Sequence, residues 1–336
     1  MLPWIERPTI DLDLDKPVER RLDDIPDEAV GGGRRLLDAV MKEVPLPARL
    51  LADYVRVKTH NRFHREARAF ARRAGVSWRK VTLANVSYDL AIMVLGCSTV
   101  ALPSPHGPVV ARNMDWLPED VLAQTSYLLR CYRRGELAWA NAGWPGAIGV
   151  VTGLSARGFA VVLNAVTSPE GCDKTGYPTM LHLRRVLEDA DGFDSALEML
   201  KEQRLAAPCL LTLAGTENHQ RVVIERTPKR HALRWAKPDR PLFTTNDYRL
   251  LYSPQDGDEG QVGQTSCSRY DALAHFFGEH DARHKIDEST LLYALTDPAV
   301  IQEITAQHVI MHPRSQMIRL FVPRRLVAGD AFAHTR

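Results

Sequence analysis

Residues 96–116 read GCSTVALPSPHGPVVARNMDW: a cysteine behind a glycine, two short apolar runs, and a polar cluster that closes the second run. Ser98 to Leu102 and Pro108 to Ala111 have strand composition, and Pro103-Ser-Pro-His-Gly107 has turn chemistry, so the stretch predicts a β-hairpin. Such a hairpin returns Arg112, Asn113 and Asp115 to Cys97. A thiol is a useful nucleophile only as thiolate, which calls for a base within hydrogen-bond reach and cationic or donor groups beside the sulfur. That base need not be a histidine. Cleavage of the Gly96–Cys97 bond would give Cys97 a free α-amine, whose unperturbed pKa of about 7.7–8.0 suits proton transfer near neutrality. Gly96 is compatible with self-cleavage, because without a Cβ it tolerates unusual dihedrals and leaves its carbonyl open to the neighbouring sulfur.

Working outward, 336 residues with 45% apolar content can bury a substantial core as one large domain or two. A formal net charge of +2 gives no argument for nucleic acid or an acidic partner. No stretch approaches the roughly 18 uninterrupted apolar residues of a spanning helix, and no secretory leader is evident, so a cytoplasmic location is expected. Cys97, Cys131, Cys172, Cys209 and Cys267 form an odd set without C-x-x-C spacing, which argues against a disulfide framework and a structural zinc site. The His60/His64 and His280/His284 pairs have helical i,i+4 spacing but no H-E-x-x-H and no third ligand; they read as surface histidines. A G-x-S-x-G elbow is absent.

The first thirty residues read as a proline-punctuated arm with a strand near Thr9 to Leu14. Gly31-Gly-Gly33 reads as a flexible lead-in to a helix, since no phosphate-loop lysine follows. Pro45 and Pro47 punctuate the apolar pattern that Leu50 to Val57 then continues. Residues 56–80 are densely basic with Phe63, Ala67 and Phe70 interleaved, an amphipathic helix whose polar face suits either solvent or an anionic membrane surface. Downstream of Cys97, strand hairpins are expected over Tyr127–Tyr132/Glu136–Trp139 and Ile148–Leu154/Phe159–Leu163, with helices at Met180–Glu188 and Ser195–Gln203. Strands follow at Cys209–Leu213, Arg221–Glu225, Ala232–Trp235 and Leu242–Thr244, helices at Ser268–Phe277 and Ser289–Leu295, and closing strands at Thr305–Met311 and Met317–Val322. Strands in bulk with intervening helices indicate a layered α+β class.

Several stretches together carry a family resemblance: Asn85-Val-Ser-Tyr88-Asp-Leu, Cys97-Ser-Thr-Val-Ala, Arg112-Asn-Met-Asp115-Trp, Trp144-Pro-Gly-Ala-Ile-Gly149, Gly153-Leu-Ser-Ala-Arg-Gly-Phe159 and Thr245-Asn-Asp-Tyr248. They resemble the acid ceramidase and N-acylethanolamine acid amidase group, cysteine N-terminal-nucleophile hydrolases related to the choloylglycine hydrolases. The likeness extends to Thr9-Ile-Asp-Leu-Asp-Leu-Asp and covers most of the chain. It implies a four-layer αββα sandwich of two antiparallel sheets with helical outer layers, preceded by a helical N-terminal segment. Residues 1–96 would be an α-subunit-like piece, cleaved but associated, and 97–336 the catalytic domain.

The resemblance also assigns roles. Cys97 is the nucleophile freed by cleavage after Gly96. Arg112 orients the thiolate and the substrate's polar end, and Asp115 holds the α-amine. Asn246 stabilises the oxyanion, with Asn164 as a second polar position. Arg269 resembles the distal arginine of bile-salt and penicillin acylases. One departure stands out: acid ceramidases carry an acidic residue just after the position of Asn164, where this chain has Ala165. The implied activity is hydrolysis of the linear C–N bond of N-acyl amides with fatty or apolar acyl chains. The alternatives are acyl transfer to an amine, an amidase of the bile-salt or penicillin V acylase kind, or a non-catalytic lipid-binding protein. Neither metal nor organic cofactor is implied. The expected partner is a small N-acyl amide, with peripheral membrane contact through 56–80 and homo-oligomerisation left open.

Overall fold

The computed structural model describes residues 2–43, 51–90, 96–253 and 265–327. Pro45, Pro47 and Leu50 lie outside them. Fourteen strands among the described residues form two sheets. The six-stranded sheet runs β1 (Trp4–Glu6), β14 (Met317–Pro323), β13 (Thr305–His312), β4 (Val109–Asp115), β3 (Gly96–Leu102), β12 (Leu242–Thr244). The eight-stranded sheet runs β11 (His231–Trp235), β10 (Arg221–Arg226), β9 (Cys209–Ala214), β8 (Phe159–Ala165), β7 (Thr152–Ser155), β6 (Glu136–Gly143), β5 (Tyr127–Arg133), β2 (Thr9–Asp13).

Every residue of β3 and β4 is buried, because both faces of their sheet are covered. On one face Ala101, Val110, Val309 and Leu320 meet Ala140, Leu154, Val162 and Leu210 of the opposite sheet. On the other, Val100, Leu102, Val109 and Ala111 pack under α9 (Ser266–Phe277) and α10 (Glu288–Leu295) through Leu273, Phe277, Leu291 and Leu295. The far face of the eight-stranded sheet is covered by α7 (Thr179–Asp189) and α8 (Phe193–Glu202), together with α1 (Asp27–Glu43), α2 (Leu51–Lys58) and α3 (His64–Ala74). The result is the expected helix–sheet–sheet–helix sandwich.

Three details differ from expectation. The sheets are antiparallel except at one place, where β2 joins β5 in parallel register, Thr9 opposite Leu128. The N-terminal segment supplies, besides its helices and the expected strand near Thr9 (β2 beside β5), an unexpected one, β1 beside β14, so that it lends an edge strand to each sheet. The three glycines do not lead into a helix but lie within α1, which starts at Asp27 after Pro26. At position 33 a Cβ would stand 2.2 Å from the Pro145 carbonyl oxygen, so glycine there lets α1 lie directly on the Trp144-Pro-Gly turn.

The basic stretch 56–80 is split between the end of α2, α3 and the start of α4 (Trp78–Ala84). Arg62 pairs with Glu188 and Asp189, Arg65 with Glu19, Arg73 with Asp27, Arg79 with Asp53 and Lys80 with Asp38. Much of that charge is therefore answered within the molecule. Among the described residues no helix is long and apolar enough to cross a membrane.

Candidate active site

Antiparallel partners share a face, so the β3–β4 register sorts the polar residues of the hairpin. Cys97 lies opposite Met114 and Thr99 opposite Arg112, pointing between the sheets; Gly96 lies opposite Asp115 and Ser98 opposite Asn113, on the side of α9 and α10. The thiol and the Asp115 carboxylate thus sit on opposite faces of one sheet, with the Cys97 backbone between them.

Arg112, fully buried, donates from Nη2 to Cys97 Sγ at 2.7 Å and from Nη1 to Thr152 Oγ1 at 2.6 Å, and it is steadied by the Asn113 carbonyl at 3.2 Å. Burial pushes the Cys97 thiol up; the Arg112 charge and the peptide N–H groups of Asp115 and Ala165 pull the other way. Burial outweighs them, so the thiol's pKa lies above its usual value even beside the guanidinium that would stabilise its anion.

Asp115 accepts from Thr305 Oγ1 through Oδ1 at 2.6 Å, while its Oδ2 is buried without a hydrogen-bond partner among the described residues. That oxygen faces Gly96: a Cβ built there would come within 2.9 Å of it. Burial raises the Asp115 carboxyl, against the lowering by Arg269, Thr305 and Arg112. An unpaired buried carboxylate oxygen is costly. Here it lies beside the bond whose cleavage would create a new ammonium donor.

The Cys97 backbone is held on both sides. Its N–H donates to Asn246 Oδ1 at 2.9 Å, and its carbonyl accepts from Arg269 Nη1 at 2.6 Å. Arg269, near the start of α9 and almost fully buried, also donates to Ser98 Oγ at 2.9 Å, to Asn246 Oδ1 at 2.8 Å and to Thr265 Oγ1 at 3.1 Å; desolvation lowers its pKa. Asn246 Nδ2 donates to the Ala165 carbonyl at 2.7 Å. Two donors at Oδ1 and one acceptor at Nδ2 fix the orientation of this amide.

Asn164 is placed differently. Its Nδ2 donates to the carbonyls of Thr244 and Thr245, both at 3.1 Å, and its Oδ1 accepts from Thr99 Oγ1 at 2.8 Å. Both amide hydrogens are spent on tying β8 to the end of β12. The structure thus gathers Gly96, Cys97, Arg112, Asp115, Asn246 and Arg269 around one peptide bond, with Asn164 behind them as a strut. Thr152 and Thr305, which anchor Arg112 and Asp115, carried no signal in the sequence: each sits in a run read only as strand. Among the described residues no group of three or more His, Cys, Asp or Glu side chains is placed to hold a metal ion.

Such an arrangement can generate a thiolate beside a guanidinium, receive an amine at Asp115 and Asn246, and present an amide donor to a developing oxyanion. Comparison with known proteins leads to enzymes of amide bonds. The family model described as acyl-coenzyme A:6-aminopenicillanic acid acyl-transferase matches residues 103–299, a stretch that begins after Cys97 and contains the other polar site residues from Arg112 to Arg269. The N-acylethanolamine-hydrolyzing acid amidase of Caenorhabditis elegans is 21% identical over 324 residues, covering 90% of this chain and 88% of that protein. The acid ceramidase of Balaenoptera acutorostrata scammoni is 22% identical over 192 residues, 49% of this chain and 47% of its own. A solved structure of the C. elegans N-acylethanolamine-hydrolyzing acid amidase ortholog superposes with a TM-score of 0.53 at 20% identity, over 65% of this chain and 93% of that one, which establishes the shared fold.

Proposed function

Because the chain belongs to the acyl-coenzyme A:6-aminopenicillanic acid acyl-transferase family, we propose that it is an amidase whose nucleophile, Cys97, is exposed by self-cleavage at Gly96, dividing the chain into an N-terminal piece, 1–96, and a catalytic domain, 97–336. The observation that carries this reading is Asp115 Oδ2 beside Gly96, without a hydrogen-bond partner among the described residues, with Arg112 on the sulfur across the sheet. In maturation, Cys97 Sγ attacks the Gly96 carbonyl carbon, the C–N bond breaks with its nitrogen taking the thiol proton, and water hydrolyses the resulting thioester. The products are a Gly96 carboxylate and a Cys97 that bears both thiol and amine.

The freed amine is held by Asp115 Oδ2 and Asn246 Oδ1. It takes the thiol proton as Sγ attacks the carbonyl of an N-acyl amide, then protonates the departing nitrogen. Arg112 stabilises the thiolate, and the second hydrogen on Asn246 Nδ2 meets the oxyanion, a contribution of about 3–4 kcal/mol for one well-placed donor. Water resolves the acyl-enzyme. On this reading the fatty acyl chain would lie in the apolar cavity that begins at Trp116, next to Asp115, and is lined by Leu117 and Trp144 with Leu36 and Leu37 of α1 and Met180 of α7; at about 50 Å³ it would have to widen to take a long chain. The full names of the relatives, an N-acylethanolamine-hydrolyzing acid amidase and acid ceramidases, fit an apolar N-acyl amide.

Acyl transfer to an amine is the second reading, favoured by the family's own description. The test is a Cys97→Ala variant beside the native chain. Native protein should resolve by mass spectrometry into two associated fragments divided before Cys97 and hydrolyse N-acylethanolamines; Cys97→Ala should remain one inactive chain. Full activity with the Gly96–Cys97 bond intact would overturn the mechanism, and product partitioning with added hydroxylamine separates hydrolysis from transfer.

A further inference from the structure

Asn246 is gripped by helix α9 at two points one turn apart. Arg269 reaches its side-chain Oδ1, and Ser266, the first residue of the helix, accepts the Asn246 backbone N–H on Oγ at 2.8 Å. The Ser266 hydroxyl in turn donates to Asp247 Oδ1, to which Thr245 Oγ1 also donates at 2.9 Å. Asp247 faces Arg249 in an ion pair, Nε 2.6 Å from Oδ2, and the guanidinium stacks 3.9 Å over the Tyr270 ring of the same helix. Ser266 is fully buried, and Thr245, Asn246 and Asp247 are nearly so.

We propose that Ser266 and Asp247 are positioning residues for Asn246. This rests on the oxyanion role given to Asn246 above. A carboxylate acceptor orients the Ser266 hydroxyl so that its lone pair, rather than its proton, faces the Asn246 N–H. With the backbone pinned there, Oδ1 held by Arg269 and one Nδ2 hydrogen held by Ala165, the side chain has a single orientation. Only the second Nδ2 hydrogen remains uncommitted among the described residues. An oxyanion donor acts through geometry set before the reaction, so a device that removes its freedom affects turnover rather than substrate binding. Neither Ser266 nor Asp247 touches the thiol, the Gly96 carbonyl or Asp115 by any hydrogen bond in the structure.

The experiment measures kcat and KM per cleaved chain, with N-palmitoyl 7-amino-4-methylcoumarin amide as probe and melting temperature as control. Ser266→Ala should lower kcat roughly tenfold to a hundredfold with KM changed less than about twofold, and Ser266→Thr, which keeps the hydroxyl, should recover most of the loss. Asp247→Asn keeps an acceptor but loses the charge and should fall between them, serving as the second variant if Ser266→Ala does not fold. Asn246→Ala, run in parallel, should lose about a hundredfold or more. Native kcat in Ser266→Ala with Asn246→Ala impaired overturns the positioning role alone. Equal loss in Ser266→Ala and Ser266→Thr, tracking a lowered melting temperature, reduces the pair to packing and also overturns it. Native turnover in Asn246→Ala overturns the oxyanion reading together with this inference.

Discussion

At the scale of residues, the site is organised by one alternation. Because Cys97 and Gly96 are neighbours on a strand, their surroundings differ by a whole face of the sheet: guanidinium and inter-sheet core for the sulfur, carboxylate and outer helices for Gly96. Gly96→Ala tests how tightly the second face is set. A methyl there meets Asp115 Oδ2 at 2.9 Å and Asp115 Cβ at 3.1 Å, so the carboxylate must move. Self-cleavage, followed as the appearance of the two fragments by mass spectrometry, should slow by roughly tenfold or more; an unchanged rate would mean that the carboxylate's placement is immaterial to maturation. Cys97, Arg112 and Asp115 could be read together because a single hairpin carries all three, and its register brings them to one point of the sheet, Arg112 on the sulfur's face and Asp115 on the other. Asn246 and Arg269 sit on other elements, and only the family resemblance pointed to them. Thr152 and Thr305 were silent, since a threonine in a β-run reads as strand former before it reads as anchor.

Among elements, strands and helices were legible where the chain continues its own ladder or helix, β3 and β4 included although both are buried throughout, and the reading failed where a distant group takes the ladder's place. Residues 148–154, read as one strand, make one only from Thr152: the Ile148 and Gly149 N–H groups bond to Asn85 Oδ1 instead, and the Val150 N–H to the Met180 carbonyl. A side chain distant in sequence thereby competes with the ladder, which no local pattern reports. The glycines of α1 make a similar case and a paired prediction. Alanine gains about 1 kcal/mol over glycine in a helix interior. At Gly31 nothing lies within 4 Å of a new Cβ, so Gly31→Ala should raise the melting temperature. At Gly33 the Pro145 carbonyl oxygen lies 2.2 Å away, and overpacking of about 1–3 kcal/mol against backbone outweighs the propensity gain, so Gly33→Ala should lower it. Calorimetry of the two variants decides between packing and propensity; stabilisation of both would show that α1 is free to lift from the Trp144 turn.

For the whole molecule, two buried histidines weaken the fold toward low pH. Burial, with nearby arginines (Arg185 and Arg226 for His182, Arg325 for His308), lowers both to about 3. Their unfolded pKa is near 6.5, so the unfolded chain binds protons that the folded chain refuses. The stability they support is present above about 6.5 and lost as pH falls toward 3. Asp89, pushed up to about 7 by burial, has the opposite sign: its contribution is full below about 3.9 and lost as pH rises through about 7. Replacing both histidines by glutamine should therefore flatten the fall in melting temperature between about pH 6.5 and 4, and an unaltered slope would assign that fall to carboxylates. The two edge strands contributed by the N-terminal segment carry a different consequence. While the chain is continuous, β1 and β2 find β14 and β5 as parts of one molecule, at a loop-closure cost that length changes little. If the bond before Cys97 is cut as proposed, the same strands would belong to a separate solute, and re-pairing would obey mass action. The mature protein would then be a product of its own history: dilution, which the uncut chain does not notice, would become a denaturant for anything that had once let go of its first ninety-six residues.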